Sequence, residues 1–265
     1  MPIRPLSFRE LLDEPFALIQ ANIVVLAVSI AAGLAIAELV VVAVTAGVSH
    51  LTRGSDQGTA WAAVLSTAVC AWLLRFALRG MTVAFGLASA SGELIGWRTA
   101  LTRMRAAGVA LLVFHVMFTL IGVSVLALGS LLIVTFPFAL IWLGYLRAQR
   151  FVAVPVMFGE GASHATAMAR SKLLVGGAEW PTAGLWLCQR GLMVLLAVPL
   201  LGIPWYLSDF SGTHRWPVIV LLTAAVLLIA SFGEVMEAAT RVVSYTDRRC
   251  RREGLDIRLP SSAGR

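Results

Sequence analysis

Apolar residues in this chain gather into six long runs, at approximately residues 21–48, 60–85, 107–128, 130–146, 181–204 and 216–240, with short polar stretches between them. A helix needs about 20 apolar residues to cross roughly 30 Å of hydrocarbon. The fourth run is the shortest. Lipid offers unpaired backbone groups no water, so each run is expected to be helical. The pattern predicts an all-α, polytopic six-helix transmembrane bundle with short cytoplasmic interfacial helices. Residues 1–265 form a single integral membrane domain in this reading, with 241–265 as a basic cytoplasmic tail.

The interfacial helices are read from polar and apolar spacing between the runs. Around Ser7 to Gln20, Ser7 and Glu10 form a capping-box pattern. Phe8, Leu11, Leu12, Phe16 and Ile19 make an apolar stripe there, and Pro15 is expected to kink the helix and turn the chain into the membrane. Similar helices are expected over Trp97 to Ala106 and Ser163 to Val175. These two share a pattern. Gly92-Glu93 is followed by Thr99-Ala100-Leu101 and Arg103, and Gly159-Glu160 by Thr166-Ala167-Met168 and Arg170, at identical offsets and a displacement of 67 residues. A threefold internal plan follows, an interfacial helix plus two spans repeated, although a chain so rich in Ala and Gly also produces such resemblance by chance.

Composition agrees with lipid as the solvent. Hydrophobic residues make up 59% and charged residues 13%, against roughly a quarter charged in soluble domains. Mean hydropathy is +0.86. The first twenty residues mix Glu10, Asp13 and Glu14 with Arg4 and Arg9 and lack the pattern of a cleavable leader, so no cleavage is expected.

Charge sets the expected orientation. With a cytoplasmic N-terminus, 16 of the 21 Lys and Arg residues fall on the inner side, and only Arg53 and Arg215 fall outside. That is a positive-inside distribution with both termini cytoplasmic. Trp61, Trp205, Tyr206 and Trp216 then sit at outer ends, and Trp97, Trp142, Tyr145 and Trp180 at inner ends, where amphipathic rings suit the headgroups. The pI near 10.3 follows from topology and from anionic inner-leaflet lipid as partner, with no need of nucleic acid. Arg241, Arg248, Arg249, Arg251 and Arg252 are the candidate anionic-lipid contacts, or a docking surface for an unidentified protein partner.

Charges inside the runs are the best clue to function, because lipid makes them costly. They are Glu38, Arg75, Arg79, Arg190, Glu234 and Glu237. Arg75 and Arg79 are like charges four residues apart, unfavourable without an acid. Glu234 is the first choice of partner. The group reads either as ion pairs or snorkelling arginines that fix helices, or as a polar cavity for an ion or lipid headgroup. His50, His115, His164 and His214 are scattered, and Cys70, Cys188 and Cys250 show no metal or disulfide spacing. No nucleophile–His–acid motif or phosphate loop appears, so no cofactor and no enzyme activity is expected.

Three stretches carry a family resemblance. The opening Arg4-Pro5-Leu6-Ser7-Phe8-Arg9-Glu10-Leu11-Leu12-Asp13-Glu14 resembles an "RPL…GEILD" start. Arg150-Phe151-Val152-Ala153-Val154-Pro155 through Glu160, then Ala167-Met168-Ala169-Arg170-Ser171, Leu174 and Glu179-Trp180, resembles an "R…alP…E…A..RS..L…W" block. Ser244-Tyr245-Thr246-Asp247-Arg248-Arg249-Cys250-Arg251-Arg252-Glu253-Gly254-Leu255-Asp256 is similar to a "Y.D.R.RREG.D" close. These are features of the membrane-domain family associated with bacterial glycerophosphodiester phosphodiesterases. The resemblance implies a stand-alone member in a bacterial inner (plasma) membrane, with six helices and no catalytic domain. It supplies no site residues. The expected role is a non-enzymatic membrane partner or scaffold, with a small transporter or lipid-handling protein as the alternative.

Overall fold

Ser7 starts the first helix through reciprocal bonds. Glu10 N donates to Ser7 Oγ at 3.4 Å, and Ser7 N donates to Glu10 Oε2 at 2.7 Å. The computed structural model describes residues 5–131, 133–211 and 215–254. Arg4, His214, Leu255, Asp256, Arg258 and Arg265, which enter the sequence reading, lie outside them. Helix α1 (Phe8–Ala21) continues through Pro15 and ends at Asn22, whose Nδ2 donates to Leu18 O at 2.9 Å. The break in the chain therefore comes at Asn22, not at Pro15. The buried row of α1 is Leu11, Pro15 and Leu18, while Phe8 and Phe16 are exposed. Phe16 lies about 100° around the helix from Pro15, which takes it off the packed row.

The chain continues as α2 (Ile23–Leu51), α3 (Asp56–Ala90), α4 (Trp97–Ala106), α5 (Gly108–Ser130), α6 (Phe136–Ala148), α7 (Ala153–Gly159), α8 (His164–Val175), α9 (Glu179–Ser211) and α10 (Arg215–Glu253). Among the described residues there is no strand. A short helix precedes each successive pair: α1 before α2 and α3, α4 before α5 and α6, α8 before α9 and α10.

Among the described residues, five helices are long and apolar enough to cross a membrane: α2, α3, α5, Glu179–Tyr206 of α9 and Trp216–Glu253 of α10. The run at 130–146 differs. A 3₁₀ turn at Ile133–Thr135 interrupts it, and α6 has only 13 residues. Pro137 explains the interruption, since it has no N–H to continue a helix and is tolerated only in the first turn of a new one. The long helices leave large apolar side chains uncovered, with Val24 and Leu39 each 72% exposed. Water tolerates apolar patches of that kind poorly. The architecture is compatible with a multi-pass membrane protein.

The chain divides into two compact units. One comprises residues 24–79 and 189–235. Here a Cβ on Gly33 would stand 2.5 Å from Leu74 Cδ1, so the absence of a side chain lets α2 and α3 approach closely. The other comprises described residues 5–23, 80–188 and 236–254. Its core holds the buried α7 residues Ala153 to Met157, and Leu111, Phe114, Ala167, Leu174, Val242 and Val243 are buried in the same unit. In this unit a Cβ on Gly129 would meet Ala139 Cβ at 2.3 Å, which sets the approach of α5 and α6.

Candidate functional site

In the unit of residues 24–79 and 189–235, Glu234 on α10 is fully buried and accepts from two arginines of α3. Arg79 Nε donates to Oε1 at 2.6 Å and Arg79 Nη2 to Oε2 at 3.0 Å, while Arg75 Nε donates to Oε2 at 2.8 Å. The i,i+4 spacing puts both guanidiniums on one face of α3, and one carboxylate relieves their repulsion. The two differ in exposure: the Arg79 side chain is 3% exposed and that of Arg75 31%. Arg75 Nη1 and Nη2 meet no acceptor among the described residues. Arg190 joins this neighbourhood, with Nη1 4.0 Å from where a Cβ on Gly233 would sit. Glu38 is held apart by Thr223, whose Oγ1 donates to it at 2.8 Å.

Glu237 pairs with Arg241, one turn further along α10. Arg147 Nη1 of α6 stands 4.0 Å from the same carboxylate. Arg241 departs from its reading as a lipid contact: it is completely buried, with Nη1 donating to Phe151 O at 2.9 Å. The rings of Phe114, Phe118 and Phe151 lie 5.5, 5.9 and 5.0 Å from its guanidinium carbon. Arg147 lies 5.1 Å from the Trp186 ring and 5.6 Å from Phe118. Cation–π attraction, strengthened where water is excluded, offsets part of the desolvation of both cations. The cleft beside Arg147, lined also by Phe118, Ile121, Leu143, Leu146 and Arg150, is too tight to admit water. From the sequence, Arg147 counts only as one of the inner-side cations, and this aromatic lining is not foreseen. The signal legible in the sequence is the i,i+4 spacing of Glu237 and Arg241, masked by the position of Arg241 at the head of the basic tail.

The remaining basic residues belong to α10, which runs on to Glu253. Arg251 bridges to Asp247 at 3.0 Å and donates to Leu6 O. Arg249 meets Glu253 at 2.9 Å, Arg248 lies 3.7 Å from Asp247, and Arg252 donates to Gly176 O. Tyr245 OH donates to Glu160 Oε1 at 3.0 Å. Arg170 pairs with Glu160 at 3.3 Å and with Glu253. Burial alone would lower the pKa of Arg170, and the two carboxylates outweigh it and hold the group above its ordinary value.

The paired sequence pattern has a matching geometry. Arg103 Nη2 donates to both oxygens of Glu93 at 2.8 Å, and Arg170 Nε donates to Glu160 Oε2 at 3.3 Å, each across ten positions. In both copies the arginine of a short helix returns to the acid that precedes it.

Among the described residues no group of three or more His, Cys, Asp and Glu could hold a metal ion. Comparison with protein-family models, curated proteins and solved structures finds no match to this chain.

Proposed function

We propose that the chain is a multi-pass protein of a bacterial inner membrane with both termini cytoplasmic, acting as a non-enzymatic membrane partner or scaffold. The observation that carries this reading is the way intramembrane charges are used. Glu234 is saturated by Arg79 and Arg75, and Glu237 lies among Arg241, Arg147 and aromatic rings beside a cleft that admits no water. Arg79, Glu234, Glu237 and Arg241 are enclosed, which favours a fixed helix register over a transport cycle, while Arg75 is partly exposed. Six spans, with α6 as the short one, return the C-terminus to the side of the N-terminus. The resemblance to the membrane-domain family of bacterial glycerophosphodiester phosphodiesterases points the same way.

Isolation of the tagged protein from membranes, followed by mass spectrometry, tests the role. A reproducible protein partner is expected, and recovery of the chain alone would count against a scaffold. Reporter fusions at each end test the topology, with both expected to report from the cytoplasm.

A second reading, a lipid-handling protein or small transporter, draws on Arg75. Its two amino groups meet no protein acceptor among the described residues, and its side chain is 31% exposed on a spanning helix. Lipid phosphate or water would have to satisfy them.

A further inference from the structure

We propose that the groove between α4–α5 and α7–α8 binds an anionic glycerophospholipid, with its phosphate at Arg103 and the start of α8 and an acyl chain along α5. The groove is open and has a volume of about 590 Å³, within the range of ligand sites. All of its lining belongs to the unit built on α7.

Its polarity is graded. Arg103, Ser163 and His164 line it where α4 ends and α8 begins, whereas Val109, Ala110, Val113 and Met157 line the remainder. Val109 to Val113 occupy the first turns of α5, a helix apolar enough to span a membrane. Val113 therefore lies about 7–8 Å beyond the start of the span. Polar groups at the boundary and apolar groups below it reproduce the order of headgroup and chain in a phospholipid.

The polar end offers donors. Glu93 occupies only Nη2 of Arg103, so Nε and Nη1 meet no acceptor among the described residues. At the start of α8, Thr166 N donates to Ser163 Oγ at 3.3 Å, while the amides of His164 and Ala165 meet no acceptor among the described residues. The first amides of a helix favour anions. His164 Nε2 is buried without a hydrogen bond. No carboxylate lines the groove. A phosphodiester supplies the missing acceptors, and Val109, 79% exposed, gains an apolar neighbour.

This inference rests on the membrane reading, which has its own earlier test: the chain must leave the soluble fraction and need detergent before any lipid is added. The full-length protein in detergent is then titrated with dioleoyl phosphatidylglycerol, with dioleoyl phosphatidylcholine or with inorganic phosphate, and adducts are counted by native mass spectrometry. Phosphatidylglycerol is expected to bind about tenfold more tightly than phosphatidylcholine. Arg103→Gln should abolish that preference, and Val109→Trp, at an exposed position, should reduce binding of both lipids. Glu93→Gln breaks the same ion pair but keeps the guanidinium, and should retain the preference. Equal binding of the two lipids, wild-type binding by both Arg103→Gln and Val109→Trp, or equal loss in Glu93→Gln and Arg103→Gln would overturn the proposal. So would full displacement of lipid by inorganic phosphate, which would leave a bare anion site.

Discussion

The backbone amide of Leu6 donates to Asp247 Oδ1 at 2.7 Å, joining residues 241 positions apart. Asp247 is buried and also receives Arg251, which in turn donates to Leu6 O. The start of the chain is thus closed onto the end of α10 by a charged acceptor. Asp247→Ala is expected to cost about 1.5–3 kcal/mol, the scale of a hydrogen bond to a charged group. Limited proteolysis should then cut ahead of α1 sooner than in the wild type, and an unchanged cleavage rate would contradict the tie.

Removing Glu234 takes away the carboxylate that Arg75 and Arg79 share. Glu234→Ala should destabilise the protein by about 3–5 kcal/mol, as expected when a buried pair loses one partner. Arg75→Gln should cost clearly less, because its side chain is partly exposed whereas Arg79 is enclosed. Thermal melts in detergent give the order, and a reversed order would show that Arg75 is the stronger tie.

Glu237 and Arg241 should behave as one unit. A double-mutant cycle with Glu237→Gln and Arg241→Met is expected to show a coupling of about 0.5–3 kcal/mol. Additive losses would mean that the aromatic lining, and not the carboxylate, holds Arg241.

At Gly129 the limit is steric. Gly129→Leu forces side-chain atoms into Ala139, and overpacking of this kind costs about 1–3 kcal/mol. Gly47→Leu in α2, where a Cβ meets nothing within 4 Å, serves as the comparison and should melt near wild type.

Much of the helical plan was legible because lipid simplifies the sequence. Long apolar runs, the Ser7–Glu10 cap and the Arg75–Arg79 spacing each follow from local periodicity. Glu234 could be named as their partner because opposite charges at a shared depth have few alternatives. What local periodicity could not reach was tertiary. Arg241 looked like the first residue of a solvated flank, yet it is completely buried, since Phe114 and Phe118 of α5 and Phe151, between α6 and α7, reach it from far away in sequence. The apolar stripe of α1 gave no sign of which members the protein itself covers: Leu11 is buried with Pro15 and Leu18, while Phe8 and Phe16 stay exposed. The short α6 was hidden because a 3₁₀ turn is as apolar as the helices it joins.

That short helix has a consequence for the surrounding lipid. With 13 residues, α6 rises about 20 Å, some 10 Å less than typical hydrocarbon thickness. If α6 is the sixth span proposed above, a bilayer bordering it must dimple, or its headgroups and water must reach down to the helix ends. The protein would then carry a local indentation that recruits short or loosely ordered acyl chains and raises the cost of residing in thicker membranes.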